Sequence, residues 1–328
     1  MATINDFKYI GEKKKMVNKK YIGIAVVLLI IIAGAVFYFT SSNDDNTVSI
    51  GYLPSDHDAA LFVANASNMY TDAGLKVELH EYNNGGDLMT AMASGTVDVG
   101  YVGITPVLSS IQKGVPVKVI AGAQTEGSGL VTKDPNIKSI TDLKGKKIAT
   151  PGEASIQYML LKYDLKKHGM SINDITSPSM KVASMNDALK TGSIDAMLTY
   201  EPYVSIATQV NNQTLIEDSS SILSNHPCCV VAVSQSFIDK HPQQVQKIAD
   251  IHKKATEKLE SDPEGCVQYL PKNIVPNETV EKGILSNMSW VSDLNDTYKD
   301  NIHTFMNTEK DLGIINNTIS DDKLFYTA

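Results

Sequence analysis

Short apolar segments alternate with longer stretches of helical spacing from residue 47 onward. The apolar segments are rich in β-branched residues and are bounded by Gly, Pro, Asn and Asp, which is typical of strands. Helical spacing follows the first of them, over Ala59 to Tyr70, and Asp87 can cap a later helix. Strands that alternate with helices form parallel βαβ units, so the pattern predicts an α/β fold. The strands predicted in this part of the chain are Val48–Tyr52, Leu75–Leu79, Val97–Tyr101 and Val115–Ala123.

Residues 139–207 repeat this organisation at an offset of 97 residues. Gly95 falls on Gly192 and Asp98 falls on Asp195, each pair after a helix end and at the start of a strand. A common offset at like points of a βαβ pattern indicates two similar lobes. The chain after Phe237 is mostly helical, with helices predicted in Gln243–Glu260 and Val280–Glu309.

The N-terminal region has a separate character. Residues 21–39 are 19 residues without a charge, which is enough to cross a bilayer core, and residues 1–20 before them carry six lysines. By the positive-inside rule, the basic stub stays cytoplasmic and the rest faces outward through a short polar linker, residues 40–46. We therefore predict a single-pass protein of the cell membrane, with its binding domain on the extracytoplasmic side. The alternative is a cleaved signal peptide, although the apolar run exceeds the usual core of one.

Composition excludes several classes of protein. The 328 residues carry a net charge of −8, and the body after the N-terminal stub is acidic, which makes a nucleic-acid partner improbable. No P-loop or other common catalytic motif occurs, and the single apolar run is too little for a permease. These absences argue against an enzyme, a transporter ATPase and a permease, and we predict no cofactor.

Four signatures, in order, resemble a known family. They are Met89–Gly100, which reads MTAMASGTVDVG; Asp142–Ala149, which reads DLKGKKIA and precedes a PGEAS loop; Asp195–Pro202, which reads DAMLTYEP; and Phe237–Pro242, which reads FIDKHP. Over residues 47–310 the chain resembles the nitrate, sulfonate and taurine type of solute-binding proteins of ABC importers. That group also contains thiamine-precursor binders and synthases.

The resemblance implies a periplasmic-binding-protein-like type II fold, with two α/β lobes joined by two crossover strands. Lobe 1 would comprise residues 47–131 plus 232–328, and lobe 2 residues 132–231. A small ligand would bind in the cleft and pass to an ABC permease and its ATPase subunit. A thiamine-pyrimidine-synthase-like enzyme and a sensor ectodomain are the alternatives.

The resemblance also implies a set of ligand-binding residues in the cleft loops. Ordinary roles compete with binding at some of them, because Asp58 can cap the helix from Ala59, and Glu153 can favour a helix start. The implied residues are Ser55, Asp56, His57, Asp58, Asn84, Gly85, Gly86, Gly103, Ile104, Thr105, Gln124, Thr125, Glu153, Ser155, Tyr200, Glu201, His226 and Cys228.

The absence of arginine from the chain limits the kind of ligand that it can bind. Planar oxoanions are typically held by arginine, and this chain has none. The cleft loops also lack lysine, but they contain acidic residues, which favours a neutral, cationic or metal-bearing ligand over an anion. Imidazole and thiolate groups bind borderline and soft metals. The candidate metal ligands are His57, His226, Cys228 and Cys229, while the pairing of the three cysteines stays open. The acidic residues counted are Asp56, Asp58, Glu126, Glu153 and Glu201.

Overall fold

A computed structural model describes residues 47–275 and 277–327. Within them the chain forms two sheets flanked by helices, which is the predicted α/β class. The predicted membrane segment at residues 21–39 lies outside the described residues. In the part that is described, none of the helices combines the length and apolar character needed to cross a membrane.

The first sheet has six strands in the order β10-β4-β9-β3-β1-β2. Strands β2, β1 and β3 run parallel, as the βαβ pattern predicts, whereas β9 pairs antiparallel with both β3 and β4. The prediction of a parallel sheet is therefore wrong for β9, because this strand returns from the second sheet in the opposite direction. The strands are β1 Thr47–Tyr52, β2 Lys76–Glu81, β3 Val99–Gly103, β4 Val117–Thr125, β9 Pro227–Ser234 and β10 Ser289–Trp290.

The second sheet has four strands in the order β6-β7-β5-β8. Only β6 and β7 run parallel, and β5 pairs antiparallel with β7 and β8. These strands are β5 Ser128–Thr132, β6 Ile148–Ala149, β7 Ala196–Tyr200 and β8 Thr214–Asp218.

Helices cover the faces of both sheets and build most of the chain after β9. The predicted helix at Gln243–Glu260 is present as Pro242–Ser261, and its apolar stripe is buried. The helices of more than one turn are Ala59–Ala66, Gly85–Ala93, Ile104–Gln112, Ile156–Lys167, Val182–Thr191, Gln235–Lys240, Pro242–Ser261, Glu278–Asn287 and Asp296–Asp311. Shorter helical turns are Asp56–Asp58, Met69–Asp72, Ile140–Leu143, Ile172–Asp174, Tyr203–Ser205, Ile206–Val210, Ser219–Ile222, Pro263–Cys266, Val267–Tyr269 and Asp321–Leu324.

One long helical prediction was wrong. The signal over Val280–Glu309 is divided by strand β10, whose Ser289 and Trp290 pair with Thr125 and Gln124 of β4. The second helix then starts afresh, with the Asn295 side chain accepting a hydrogen bond from the Tyr298 backbone N–H. Pairing with a distant strand overrides local helical preference at this point.

The repeat seen in the sequence has a structural basis. The backbone N–H of Asp98 donates to Ser49 O, and its carboxylate accepts from the Ser49 N–H at 3.0 Å. Asp195 makes the same two-way contact with Lys147, and its carboxylate accepts at 2.8 Å. In both halves an aspartate at the end of a Gly turn thus fastens one strand to the start of its neighbour.

The chain crosses between the sheets twice. It leaves the first sheet after Thr125 and enters the second at Ser128, then returns between Asp218 and Pro227. Glu126 and Gly127 make the first crossing with positive φ angles of 63° and 76°. The division into two lobes stays a proposal. If the lobes divide where the chain crosses between the sheets, their boundaries lie a few residues before the predicted ones, which were 131/132 and 231/232.

Candidate functional site

A buried pocket lies between the two sheets, at the carboxyl ends of β1, β3 and β7. The free space between its lining atoms is about 430 Å³, and part of this space is open to solvent. Three helices begin at its wall, namely Gly85–Ala93, Ile104–Gln112 and Ile156–Lys167. Carboxyl ends of strands and amino ends of helices are where open α/β sheets bind ligands, because unpaired N–H groups converge there. The lining residues are Leu53, Ser55, His57, Asp58, Asn84, Gly85, Gly103, Pro106, Pro151, Ser155, Ile156, Gln157, Tyr200, Cys228 and Cys229.

The turn after β1 is held rigidly. Ser55 Oγ accepts a hydrogen bond from the His57 backbone N–H at 3.1 Å, which caps the Asp56–Asp58 turn. Asp58 Oδ2 accepts from the Leu53 N–H at 2.9 Å and does not cap the helix that begins at Ala59. The capping role considered for Asp58 is therefore wrong, because its carboxyl group closes its own turn instead.

His57 faces two thiols inside the pocket. Its Nδ1 lies 3.4 Å from Cys228 Sγ and 3.7 Å from Cys229 Sγ, and the two sulfurs are 4.0 Å apart. The other ring nitrogen, Nε2, lies 3.0 Å from the carbonyl oxygen of Gly127 and donates to it. We call His57, Cys228 and Cys229 the triad. All three side chains are buried.

Neighbouring strand residues normally point to opposite faces, so two adjacent thiols on one imidazole need an explanation. The register between β4 and β9 is irregular where Cys229 pairs with Gln124, next to the pairing of Pro227 with Thr125. The irregular pairing lets both sulfurs approach the same nitrogen. Gly127 is required here too, since a Cβ at this position would lie 2.6 Å from His57 Nε2.

The electrostatics of the triad separate its two thiols. Burial raises the pKa of Cys228, but the Cys229 hydrogen bond and the charge on His57 outweigh burial and bring that pKa well below its ordinary value. The Cys228 thiolate in turn raises the pKa of Cys229. Burial also raises the pKa of Asp58 to about 8. Asp58 is accordingly neutral at pH 7.

A second buried polar cluster starts one residue before His57. The carboxyl groups of Asp56 and Glu281 face each other, and both side chains are fully buried. Burial, first, and the neighbouring carboxyl groups, second, raise the pKa of Asp56, and burial raises the pKa of Glu281 to about 7. We call Asp56 and Glu281 the carboxyl pair. Glu201 lies nearby and accepts hydrogen bonds from Ser205 N and Oγ at 3.0 and 2.9 Å.

The structure distributes the sequence-predicted site residues among several places. Nine of the implied ligand-binding residues line the pocket: Ser55, His57, Asp58, Asn84, Gly85, Gly103, Ser155, Tyr200 and Cys228. Gly86 and Glu153 line an adjacent opening, and Thr125 and Glu201 line a separate pocket between the sheets. Asp56, Ile104, Thr105, Gln124 and His226 are buried away from the pocket.

His226 was a candidate metal ligand, and the structure does not place it with the others. The metal-ligating group found among the described residues consists of His57, Cys228 and Cys229 alone. The His226 ring stacks on Phe305 with centroids 6.1 Å apart, and its Nδ1 contacts the Pro227 carbonyl. Burial lowers the pKa of His226, so this ring packs as a neutral core residue.

Other wall residues escaped sequence reasoning. Leu53, Pro106, Pro151 and Ile156 are apolar and resemble core positions. Two prolines each following a strand end by a few residues are the signal that could have found part of this wall.

The acidic character inferred for the cleft also changes. Of the acidic residues counted in the cleft loops, only Asp58 lines the pocket, and burial keeps it protonated at neutral pH. The argument for a cationic ligand from loop charge therefore loses its basis, although no lysine of the described residues lines the pocket either.

Comparisons with known proteins agree with this geometry. The family model described as the NMT1-like family matches residues 41–266. The chain is 27% identical over 231 residues to the taurine-binding periplasmic protein of Escherichia coli, covering 69% of this chain and 70% of that protein. It is 30% identical over 224 residues to a 4-amino-5-hydroxymethyl-2-methylpyrimidine phosphate synthase of Aspergillus parasiticus, covering 63% of this chain and 64% of the synthase.

A solved structure shares the fold. The ligand-binding component of an ABC-type import system from Staphylococcus aureus, with zinc bound, superposes with a TM-score of 0.74 at 22% identity. The match covers 86% of this chain and 96% of that one. The predicted periplasmic-binding-protein fold is thus confirmed, and the similarities favour a binding protein over an enzyme, as predicted. With the family model spanning most of the described residues, the chain belongs to the NMT1-like family.

Proposed function

We propose that this protein is the extracytoplasmic solute-binding component of an ABC importer, which captures one small ligand between its two sheets. The observation that carries the proposal is the pocket itself, whose wall combines residues of both sheets at three strand ends. On one side Cys228 and Cys229 lie on β9 of the first sheet and His57 lies in the turn after β1. On the other side Tyr200 ends β7 of the second sheet, and Ser155 and Gln157 lie at the start of the helix Ile156–Lys167. A ligand held by both sides couples binding to the relative position of the lobes.

Two buried polar atoms of the wall support a ligand role. Tyr200 Oη and Asp58 Oδ1 have no hydrogen-bond partner among the described residues. Buried polar groups are nearly always hydrogen-bonded, and each one left unpaired costs about 1–3 kcal/mol. A ligand in the pocket would supply partners to both atoms. Among the described residues neither arginine nor lysine lines the wall, so an anion would find no cationic partner and the proposed ligand is neutral or metal-bearing.

Closure of the lobes is supported by contacts across the cleft. Ser55 Oγ donates to the carbonyl oxygen of Glu201 at 3.1 Å, and Tyr203 Oη donates to that of Pro54 at 3.2 Å. Both contacts join the turn after β1 to the chain after β7. In the proposed cycle they form as the cleft closes on its ligand, and the closed form docks on a membrane permease that works with an ATPase subunit.

A ligand-binding experiment tests the role. Native mass spectrometry of the full chain in mild detergent, followed by thermal unfolding with metals, sulfonates, nitrate, amines and heterocycles, should find a ligand that raises the melting temperature. Ser55→Trp fills the pocket and removes the Glu201 contact, so it should abolish that rise. Ser184→Trp, on an exposed helical position, is the control. Equal ligand responses in both variants would contradict the role.

The membrane anchor is a separate part of the proposal. If residues 21–39 hold the protein in the cell membrane, the full chain should sediment with membranes and resist extraction by high salt. A chain that begins at residue 41 should be recovered free of membranes. Recovery of the full chain in a salt-soluble fraction at a mass shortened by about the stub and apolar run would instead indicate a cleaved signal peptide.

A further inference from the structure

The triad has the dimensions of a metal site. In a tetrahedral zinc site, bonds of about 2.3 Å to sulfur and about 2.0 Å to nitrogen separate two sulfurs by about 3.8 Å and a sulfur from a nitrogen by about 3.6 Å. The observed separations are 4.0 Å between the sulfurs, and 3.4 and 3.7 Å from His57 Nδ1 to the sulfurs. One ion could therefore contact all three atoms after shifts of a few tenths of an ångström.

The orientation of His57 is set for a ligand role. Because Nε2 donates to the Gly127 carbonyl oxygen, the neutral ring keeps its lone pair on Nδ1, which faces the thiols. A hydrogen bond from the far ring nitrogen to a carbonyl is the usual support of a metal-bound histidine, since it fixes both tautomer and ring orientation. The carbonyl comes from the rigid crossing between the sheets, so the ring is positioned before any ion arrives.

Charge balance favours a divalent ion. A buried ion is stable only when its charge is compensated, because burial removes its solvation. Two thiolates would neutralise a divalent cation, and in the part of the chain that the structure describes no arginine or lysine lines the pocket to compete for them. Since the three ligating residues all belong to the pocket wall, a fourth coordination position would be open to the pocket. Three protein ligands with one open position make the geometry of an exchangeable site and not of a closed structural one.

We propose that His57 Nδ1, Cys228 Sγ and Cys229 Sγ bind a thiophilic divalent cation, Zn²⁺, whose fourth position is left for a small molecule or water within the cleft. This rests on the proposed solute-binding role and names its ligand class: the solute is a metal ion or a metal complex. Zinc ligation requires a neutral His57 with a free Nδ1 and two thiolates, so every proton that His57 Nδ1, Cys228 and Cys229 hold in the metal-free protein passes to solvent. No redox change takes place.

The competing account is a simple ion pair between the Cys228 thiolate and the His57 imidazolium, with Cys229 as its hydrogen-bond donor. That account explains the contact between His57 and Cys228, and it predicts no metal affinity beyond that of any exposed thiol. The convergence of a second sulfur on the same nitrogen, through an irregular strand pairing, is what the metal site explains and the ion pair does not.

Zinc titration of the full chain, with thiols reduced and free zinc set by a competing chromophoric chelator, tests the proposal. We expect one zinc per chain, and at least about 100-fold weaker binding in each of Cys228→Ser, Cys229→Ser and His57→Ala, since even supporting groups around zinc cost up to that much. Cys266→Ser is the matched control, because that buried thiol lies on another helix and contacts Lys258 O. It should bind zinc as the unmodified chain does.

A second readout does not depend on the folding of the variants. Cobalt(II) bound to the unmodified chain should show thiolate-to-metal charge transfer and the strong visible absorption of tetrahedral coordination. Absence of both bands, no zinc uptake, or zinc uptake that persists in the Cys228→Ser and Cys229→Ser double variant would each overturn the site.

Different results would contradict the metal site and the solute-binding role. If zinc does not bind but a metal-free solute raises the melting temperature of the unmodified chain, the metal site is wrong and the solute-binding role stands. If zinc binds through the triad but its affinity is the same in Tyr203→Phe, which loses a contact across the cleft, the ion is held by the first sheet alone and is not the captured solute.

Discussion

Two buried polar clusters begin at neighbouring residues of one turn, and they differ in what surrounds them. His57 belongs to the triad, which lines the pocket and keeps a lone pair and two sulfurs directed at one point. Asp56 belongs to the carboxyl pair, which is sealed from the pocket and consists of two acids that cannot both ionise. Both clusters are buried and have perturbed pKa values, so these two features do not show which cluster binds a ligand. Access to the pocket and complementary chemistry distinguish the one that can bind a ligand.

The largest expected effect comes from removing the room that the triad requires. Gly127→Ala places a methyl group against His57 Nε2 at a residue with φ of 76°, so both a clash and backbone strain result. We expect a loss of about 3 kcal/mol in the free energy of unfolding. The metal affinity should fall with it, because the ring loses its support. Denaturant unfolding and zinc titration measure the two effects.

Gly114→Ala is the matched control for that variant. Its φ is 87°, but no atom lies within 4 Å of the added methyl group, so only the backbone cost of about 1 kcal/mol applies. An equal loss of unfolding free energy in both variants would show that the contact with His57 contributes nothing to stability. The triad would then have no measurable need for the space at Gly127.

The carboxyl pair should make the free energy of unfolding depend on pH. The folded-state pKa of Glu281 is raised, so the pair stabilises the fold most below pH 4.5, and this contribution is lost as pH rises through about 7. We expect the unmodified chain to lose roughly 2 kcal/mol of unfolding free energy between about pH 5 and pH 7 from this source. Glu281→Gln removes one of the two acids and should flatten that part of the profile.

Glu309→Gln controls for a general effect of buried acids. Burial raises the pKa of Glu309 to about 8, against a smaller opposing effect of the Thr105 hydroxyl, and this residue is separate from both clusters. Its substitution should therefore flatten the profile up to about pH 8. If Glu281→Gln leaves the slope between pH 5 and pH 7 unchanged, the carboxyl pair is not the source of the pH dependence.

The smallest expected effect concerns the contacts that hold the shared turn. Tyr203→Phe removes the hydrogen bond to Pro54 O, which is worth about 1 kcal/mol, so a ligand captured by closure should bind about fivefold more weakly. The pH profile should stay as it is, because neither cluster loses a partner. Isothermal titration with the ligand found above measures the change, and Tyr326→Phe, away from the cleft, should have none.

The first four strands were predictable because apolar residues recur in short runs between turn residues. The predicted Val115–Ala123, for example, lies within two residues of strand β4 at Val117–Thr125. The helix predicted over Val280–Glu309 failed where Ser289 and Trp290 join β4, since that pairing depends on a strand more than 150 residues earlier. Local preference decides an element only where no distant partner competes for the backbone.

Some residues of the site could be predicted from the sequence and others could not. His57, Asn84, Ser155 and Tyr200 were predictable from the resemblance, because loops at strand ends keep their place in a family fold. The apolar wall formed by Leu53, Pro106 and Ile156 was not, because a lining residue and a core residue have the same chemistry. The resemblance implied that His226 lies at the cleft with Cys228, yet the His226 ring stacks on Phe305.

The sequence alone determined the α/β class, the family and the repeat that places Asp98 and Asp195 at like points of two βαβ units. It also showed that the chain has no arginine with which to hold an anionic ligand. These follow from residue types and their spacing, which act over a few residues at a time. Only the tertiary structure decided which acids face the pocket, that Asp56 and Glu281 meet, and that both Cys228 and Cys229 reach one imidazole. Those outcomes depend on how distant strands pair and which side chains are thereby removed from water, and no local pattern encodes that.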